Sequence, residues 1–112
     1  MAEEPKRQPL DVFIFYAPWC PRCKVMHSKV RKAQSSLMKL GFKKTDFRFI
    51  WMNTDKPTVQ TIMRKKYPCV NRIPAVVALN DIYWVGAPDD KDFSGVLAYL
   101  ADNPEGGKGA YG

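Results

Sequence analysis

The sequence has too few cysteines for a fold held together by disulfides. It has three cysteines in 112 residues, whereas small secreted scaffolds depend on several paired ones. Its longest clean apolar run, IPAVVAL, is far shorter than the roughly 20 residues that cross a bilayer. The first residues, MAEEPKRQP, lack the apolar segment of a secretory signal. These absences predict one soluble, monomeric domain in a reducing compartment, the cytoplasm, without a membrane partner.

Acidic residues are outnumbered by basic ones, 11 to 18, which gives a net charge of +7. Such a surplus favours acidic partners. The basic residues are spread along the chain rather than gathered in one arm, so nucleic acid is only weakly supported as a partner. Apolar residues make up 46% of the chain and charged residues 26%, which is typical of a globular domain.

Hydrophobic periodicity predicts the element order β-α-β-α-β-β-α. The predicted strands are VFIFY (12–16), FRFIWM (47–52), AVVAL (75–79) and IYWV (82–85). A helix joins the first two strands, so they should be parallel with a right-handed crossover. The last two are separated by Asn80 and Asp81, which predicts a hairpin. The fold class is therefore α/β, a mixed four-stranded sheet flanked by helices.

The helices have recognisable limits. The first should run from Cys20 to the stop signal at Gly41, with a buried stripe made of Met26, Val30, Ala33, Leu37 and Leu40. The second should open at Pro57, and the third should be capped by Asp89 or Asp90. We expect a flexible arm over residues 1–10, a domain over 11–103 and a flexible glycine-rich tail over 104–112.

The stretch FYAPWCPRCK places two cysteines three positions apart where a strand gives way to a helix. Pro21 suits the first helical position. The helix start and the charges of Arg22 and Lys24 favour a thiolate at Cys20. Cys23 lies one turn further in, so the prediction is an exposed, reactive Cys20 and a shielded Cys23. Thiol–disulfide exchange needs this inequality, with Cys20 as the nucleophile and Cys23 as the resolving thiol.

Two other interpretations of the cysteines remain open. Zinc could bind Cys20, Cys23, His27 and Cys69, because thiolates and imidazole are its usual ligands. A helix start is not the usual setting of a zinc knuckle, however, and a second C-x-x-C is absent, so we predict no metal site. The cysteines could also be purely structural, as we expect for Cys69.

The stretch FYAPWC followed by CK resembles the active-site entry of thioredoxins and of protein disulfide isomerase catalytic domains. MNTDKP, RIPAVVALN and WVGAPD resemble later thioredoxin segments, in the same order. The resemblance to the thioredoxin superfamily implies a minimal thioredoxin-like fold and a thiol–disulfide oxidoreductase. It implies protein disulfides as substrates, a thiol reductant such as a reductase or glutathione, and no cofactor beyond a redox-active Cys20–Cys23 disulfide.

The resemblance also implies roles for residues outside the dithiol. Pro74 matches a cis-proline that faces the dithiol, the backbone at Ile73 should hold an extended substrate, and Trp19 should flank the nucleophile. The chain departs from the family at Ile14, where a buried carboxylate is usual, and in its Pro-Arg pair between the cysteines. These departures keep a second interpretation open, a thioredoxin-like accessory module that acts by contact rather than by redox chemistry.

Overall fold

A computed structural model describes residues 9–68, 70–78 and 82–102 of the chain. The order of helices and strands is the predicted β-α-β-α-β-β-α. Short 3-10 turns at Arg22–Lys24 and Lys44–Asp46 precede the first helix and the second strand. The elements are β1 (Leu10–Tyr16), α1 (Val25–Lys39), β2 (Phe47–Asn53), α2 (Pro57–Lys66), β3 (Ala75–Ala78), β4 (Ile82–Val85) and α3 (Asp90–Asp102).

The four strands form one mixed sheet in the order β2-β1-β3-β4. β1 runs parallel to β2, with Val12 opposite Phe49, and antiparallel to β3, with Ile14 opposite Val76. β3 and β4 are antiparallel. The predicted fold class and the parallel pairing of the first two strands are therefore confirmed. Asn80 and Asp81, the predicted hairpin turn, lie outside the described residues.

Successive side chains of a strand point to opposite faces of the sheet. Apolar side chains of β1 therefore reach both faces, and helices cover both. Val12 and Ile14 point to the face covered by α1 and α3, where Leu37 and Phe93 complete a core of fully or nearly fully buried side chains. Phe15 points to the opposite face and packs in a smaller core with α2 and the segment that follows it. The members of that smaller core are Phe15, Val59, Tyr67, Val70, Ala75 and Val77.

The first helix ends as its glycine predicts. Gly41 has a φ of +97°, the left-handed conformation that glycine adopts without a steric penalty. Its N–H donates to the carbonyl of Met38 at 3.0 Å, and the N–H of Phe42 donates to the carbonyl of Leu37 at 3.1 Å. This pair of hydrogen bonds is the Schellman motif. Leu40, predicted to be buried, is 65% exposed, because the chain leaves the helix there and turns it away from the core.

The start of the first helix differs in detail from the prediction. The α-helix begins at Val25, and Cys20 precedes a 3-10 turn that leads directly into it. At the chain's beginning, Leu10 is already part of β1 and is buried, although the sequence suggested an arm that extends to residue 10. Residues 1–8 and the predicted tail lie outside the described residues. Among those described, no helix is both long and apolar enough to cross a membrane.

Candidate functional site at the Cys20–Cys23 pair

The two cysteines lie immediately after the central strand β1, in the turn that leads into α1. The N–H of Cys20 donates to the carbonyl of Ala17 at 3.1 Å, which closes the turn after the strand. The N–H of Cys23 lies 3.2 Å from the carbonyl oxygen of Cys20 and 3.3 Å from its Sγ. A backbone N–H aimed at sulfur binds a thiolate more strongly than a thiol. The local fold therefore directs a backbone N–H donor at the sulfur of Cys20.

Both thiols are buried, and they form a small apolar cluster with Ala17, against which Tyr16 and Ile73 pack. Cys20 is 5% exposed and Cys23 is 3% exposed. The prediction that Cys20 is the exposed member of the pair is therefore wrong. The hydrogen bond from the Cys20 N–H to the Ala17 carbonyl closes the turn, and Cys20 packs against Ala17 inside it. The two thiols therefore have nearly the same exposure, and they differ in that only the Cys20 sulfur accepts the Cys23 N–H.

Cys23 resists ionisation. Burial raises the pKa of the Cys23 thiol from 9.0 to about 11, and its hydrogen bond with Cys20 acts in the same direction. The cause is the loss of hydration, which penalises a thiolate far more than a neutral thiol. Cys23 is thus protonated near neutral pH. Of the predicted inequality, the structure shows the shielded and neutral Cys23 but not an exposed Cys20.

Ile14 lies in the core shared by α1 and α3 and is completely buried. Nowhere in the described parts of the chain is a polar or charged side chain buried. The described residues therefore place no buried carboxylate near Cys23 to accept its proton. A proton that leaves Cys23 has to pass to solvent, to the substrate or to Cys20.

The structure has a groove of about 380 Å³ whose lining includes Arg22, the residue that directly precedes Cys23 in the sequence. The Ile73–Pro74 peptide bond in its wall is cis, and the N–H of Gly86 donates to the Pro74 carbonyl at 2.7 Å. Since Ile73 also packs against the cysteines, the structure brings Arg22, Ile73 and Pro74 together at the dithiol. The lining residues are Arg22, Val25, Arg72, Ile73, Pro74, Val85, Gly86 and Ala87.

Sequence reasoning missed Arg72 as part of this site. The signal was available, because Arg72 directly precedes Ile73, which the family resemblance assigns to substrate binding. Of the other predicted residues, Pro21 has the helical φ of −63°, and its carbonyl accepts the N–H of Lys24 at 3.3 Å. Lys24 is exposed and does not line the groove.

Trp19 is 68% exposed, yet it is held in place. Its indole Nε1–H donates to Oδ1 of Asp55 at 2.8 Å, and the Asp55 N–H donates to the side-chain oxygen of Asn53. Thr54 donates to the carbonyl of Tyr16 twice, from its N–H at 2.8 Å and its hydroxyl at 3.0 Å. The ends of β1 and β2 therefore fix Trp19. Asp55 lies in the segment MNTDKP, but nothing in the sequence indicated its contact with Trp19, because the two residues are 36 positions apart.

His27, a candidate zinc ligand, is engaged elsewhere. Its ring stacks on Trp51, with the ring centroids 4.4 Å apart and the planes 18° from parallel. Across the described ranges, no group of three or more His, Cys, Asp or Glu side chains is placed to hold a metal ion. Cys69, the fourth candidate ligand, lies outside the described residues.

Comparisons with known proteins point to one family. The family model described as Thioredoxin matches residues 5–81. A similar structure is thioredoxin-2, a component of malaria parasite protein secretion machinery, with 18% identity and a TM-score of 0.63 over 81% of this chain and 82% of that one. The germline-specific thioredoxin Deadhead of Drosophila melanogaster has 26% identity and a TM-score of 0.59 over 82% of this chain and 81% of that one. Mitochondrial thioredoxin 3 of Saccharomyces cerevisiae, in oxidised form, has 23% identity and a TM-score of 0.61 over 84% of this chain and 82% of that one. No curated protein matches significantly. The family match supports a thioredoxin-like redox role.

Proposed function

Because the chain belongs to the thioredoxin family, we propose that it is a thiol–disulfide oxidoreductase that exchanges protein disulfides through Cys20 and Cys23. Cys20 is the nucleophile and Cys23 is the resolving thiol. The observation that carries this proposal is the inequality of the pair. The Cys23 N–H is directed at the Cys20 sulfur, while the pKa of Cys23 is raised to about 11.

The exchange takes place in two displacements. The Cys20 thiolate attacks one sulfur of a substrate disulfide, an S–S bond to Cys20 forms, and the other substrate sulfur leaves as a thiolate. Cys23 then loses its proton and attacks the Cys20 sulfur, which releases the second substrate thiol and leaves a Cys20–Cys23 disulfide. The substrate gains two electrons and the protein loses two. A thiol reductant returns the protein to the dithiol, and no further cofactor is required.

The groove supports a polypeptide substrate. Its wall contains Ile73 and Pro74 beside the cysteines, and the Ile73 backbone forms no hydrogen bond with another described residue. Free backbone groups next to the start of a strand can pair with a second chain in the manner of a β-strand. The exposed indole of Trp19 offers further contact area near the nucleophile.

Thiol trapping after equilibration in glutathione buffers tests the activity. We expect a single two-electron transition in the wild type. Cys23→Ser should accumulate a mixed disulfide with a peptide substrate, because the resolving thiol is gone, whereas Cys20→Ser should form far less. Equal amounts of mixed disulfide in the two variants would contradict the assigned roles.

A second function is favoured by one observation, the completely buried Ile14 at the position where the family resemblance implies a carboxylate. Without that proton acceptor, a chain of this fold can act by contact, as an accessory module of a larger assembly. The double variant Cys20→Ser, Cys23→Ser separates the two functions. Loss of function in cells supports redox chemistry, and retention supports the module.

A further inference from the structure

The groove beside the dithiol is lined by two arginines and by apolar groups, and none of the described acidic side chains lines it. Arg22 and Arg72 are exposed, and neither forms a hydrogen bond or ion pair with another described residue. Some other cations of the described residues do have partners. Lys29 and Lys32 pair with Asp90, and Arg48 pairs with Asp11. The two guanidinium groups at the groove are thus available to a ligand.

The stretches of sequence around the two groove arginines contain no acidic residue. The sequence contains no Asp or Glu from residue 12 to residue 45, nor from residue 56 to residue 80. Arg22 lies in the first of these segments and Arg72 in the second. A cleft with charge of one sign and walls of low polarity concentrates ligands of the opposite sign.

From this arrangement we infer that the groove selects disulfides embedded in an acidic polypeptide segment, with Arg72 as the residue that determines specificity. The inference rests on the proposed oxidoreductase function and names its substrate class. A carboxylate near the substrate cysteine pairs with the guanidinium of Arg72, which can bind it through two parallel hydrogen bonds. Arg22 contributes to the same field but lies between the two thiols, so its effect on recognition is mixed with its effect on the thiolate.

The apolar groups favour a polypeptide over a small acidic thiol such as glutathione. Val25 is 47% exposed and Val85 is 43% exposed in the walls of the groove. Apolar side chains of a polypeptide can cover these valines, and a tripeptide without apolar side chains cannot. The Ile73 backbone adds strand-like hydrogen-bonding groups that suit an extended chain.

Three disulfide-containing peptides test the inference. They are identical except that the residues flanking the cysteines are Glu, Gln or Lys. The reduced protein is mixed with each peptide, and the second-order rate constant of disulfide reduction is measured by acid quench. Each rate is divided by the rate of the same peptide with dithiothreitol, which removes the intrinsic effect of the flanking charge on the disulfide. Glutathione disulfide is measured in the same way.

We expect the normalised rate to fall in the order Glu, Gln, Lys. Exposed ion pairs predict about a two- to fivefold step for each contact. The preference should shrink at about 0.3 M NaCl, where exposed charges are screened. Equal rates for the three peptides, or a preference for Lys, would overturn the inference and leave the oxidoreductase function standing. A higher normalised rate for glutathione disulfide than for the Glu peptide would overturn the polypeptide occupant.

Substitutions of single residues show whether Arg72 causes the preference for the Glu peptide. Arg72→Gln should reduce the ratio of the Glu to the Gln rate by about two- to fivefold, and Arg72→Lys should restore part of it. Lys39→Gln is the matched control, because it removes the same charge from the exposed end of α1, and its ratio should equal that of the wild type. An unchanged ratio in Arg72→Gln would refute the role of this residue. Failure to reduce any of the peptides would refute the oxidoreductase function itself, and with it the inference.

Discussion

Burial of Cys23 connects the redox state of the protein to its pH stability. The pKa of Cys23 is raised from 9.0 to about 11 in the folded, reduced protein, and burial is the main cause. A group whose pKa is raised by folding contributes stability that is present below its unfolded pKa. That stability is lost as the pH rises towards the folded pKa. For Cys23 the sensitive window therefore lies between about pH 9 and pH 11.

We predict that the reduced wild type loses about 2 to 3 kcal/mol of unfolding free energy across this window through Cys23 alone. Urea unfolding in the presence of reductant, repeated from pH 8 to pH 11, measures the loss. Cys23→Ser is the control, because it keeps Cys20 and Tyr67, whose pKa is also raised by burial, but has no thiol to ionise at position 23. Identical pH slopes for the two proteins would contradict the prediction.

Arg22 acts at the same scale through its charge. The backbone N–H of Cys23 points at the Cys20 sulfur, and we expect the guanidinium of Arg22 to favour a thiolate there, a charge present in the reduced form and absent from the disulfide. Stabilising the reduced form makes the disulfide a stronger oxidant. We therefore expect a potential less negative than about −270 mV, the value for thioredoxin. Equilibration with glutathione and thiol trapping measures it.

Removal of the charge should shift the potential. We expect Arg22→Gln to have a more negative potential than the wild type, because the reduced form loses a favourable interaction. Lys39→Gln, which removes a charge far along α1, should leave the potential unchanged. Arg22→Gln and wild type with the same potential would mean that the guanidinium is too well solvated to influence Cys20.

At the scale of the element, the end of α1 requires glycine at position 41 because of its backbone conformation and not because a side chain would lack room. Gly41 has a φ of +97°, and a methyl group added there would meet nothing within 4 Å. Gly95, inside α3, is equally unobstructed but has no such φ. The same substitution at the two glycines therefore measures the cost of the backbone conformation without a steric clash at either position.

We predict opposite effects for the same substitution. Gly41→Ala should destabilise the protein by about 1 to 2 kcal/mol, because an L residue is strained in the left-handed region. Gly95→Ala should stabilise it by about 0.5 to 1 kcal/mol, because alanine favours the helix interior. Thermal and urea unfolding of both variants measure the two changes. A loss of stability in both would point to a packing defect, and the conformational explanation would fail.

The sequence predicted the elements well because most carry a local signal. The run of buried side chains in β1, the proline that opens α2 and the glycine that ends α1 each act within a few residues. Leu40 was misjudged because helical spacing continues through it while the backbone does not. The burial of Cys20 was also beyond local reasoning, since it depends on how the turn folds back onto Ala17 and Ile73.

The candidate site was predictable only in part, for a similar reason. Cys20, Cys23, Ile73 and Pro74 carry motif signals. Arg72 carried only the indirect signal of its place next to Ile73, and its position in the same groove as Arg22 depends on the tertiary fold. The contact between Trp19 and Asp55 likewise requires the ends of β1 and β2 to be aligned.

At the scale of the whole molecule, the order of the strands sets the order of their stability. β1 and β3 lie inside the sheet, and β2 and β4 lie at its edges within the described part of the chain. Amides of interior strands open only when the protein unfolds extensively, whereas those of edges open locally. We predict that amide hydrogen exchange is slowest in β1 and β3, with Val12, Ile14, Val76 and Val77 among the slowest residues.

Exchange measured by NMR at several denaturant concentrations tests this order. The slowest amides should report the global unfolding free energy, and the amides of β2 should exchange through a smaller opening. The short strand β4 should behave like β2. Amides of β2 that exchange as slowly as those of β1 would refute the predicted order and would indicate that this edge is covered in solution.

The hydrogen bond between Trp19 and Asp55 has an entropic consequence for association. An exposed aromatic side chain normally samples several rotamers, and a partner that immobilises it loses about 0.5 to 1.5 kcal/mol of binding free energy. The indole of Trp19 is already held in one orientation by Asp55 at 2.8 Å, so folding has ordered it before any partner arrives. A protein that docks over Trp19 therefore meets a preorganised surface and retains more of the free energy released by covering the ring.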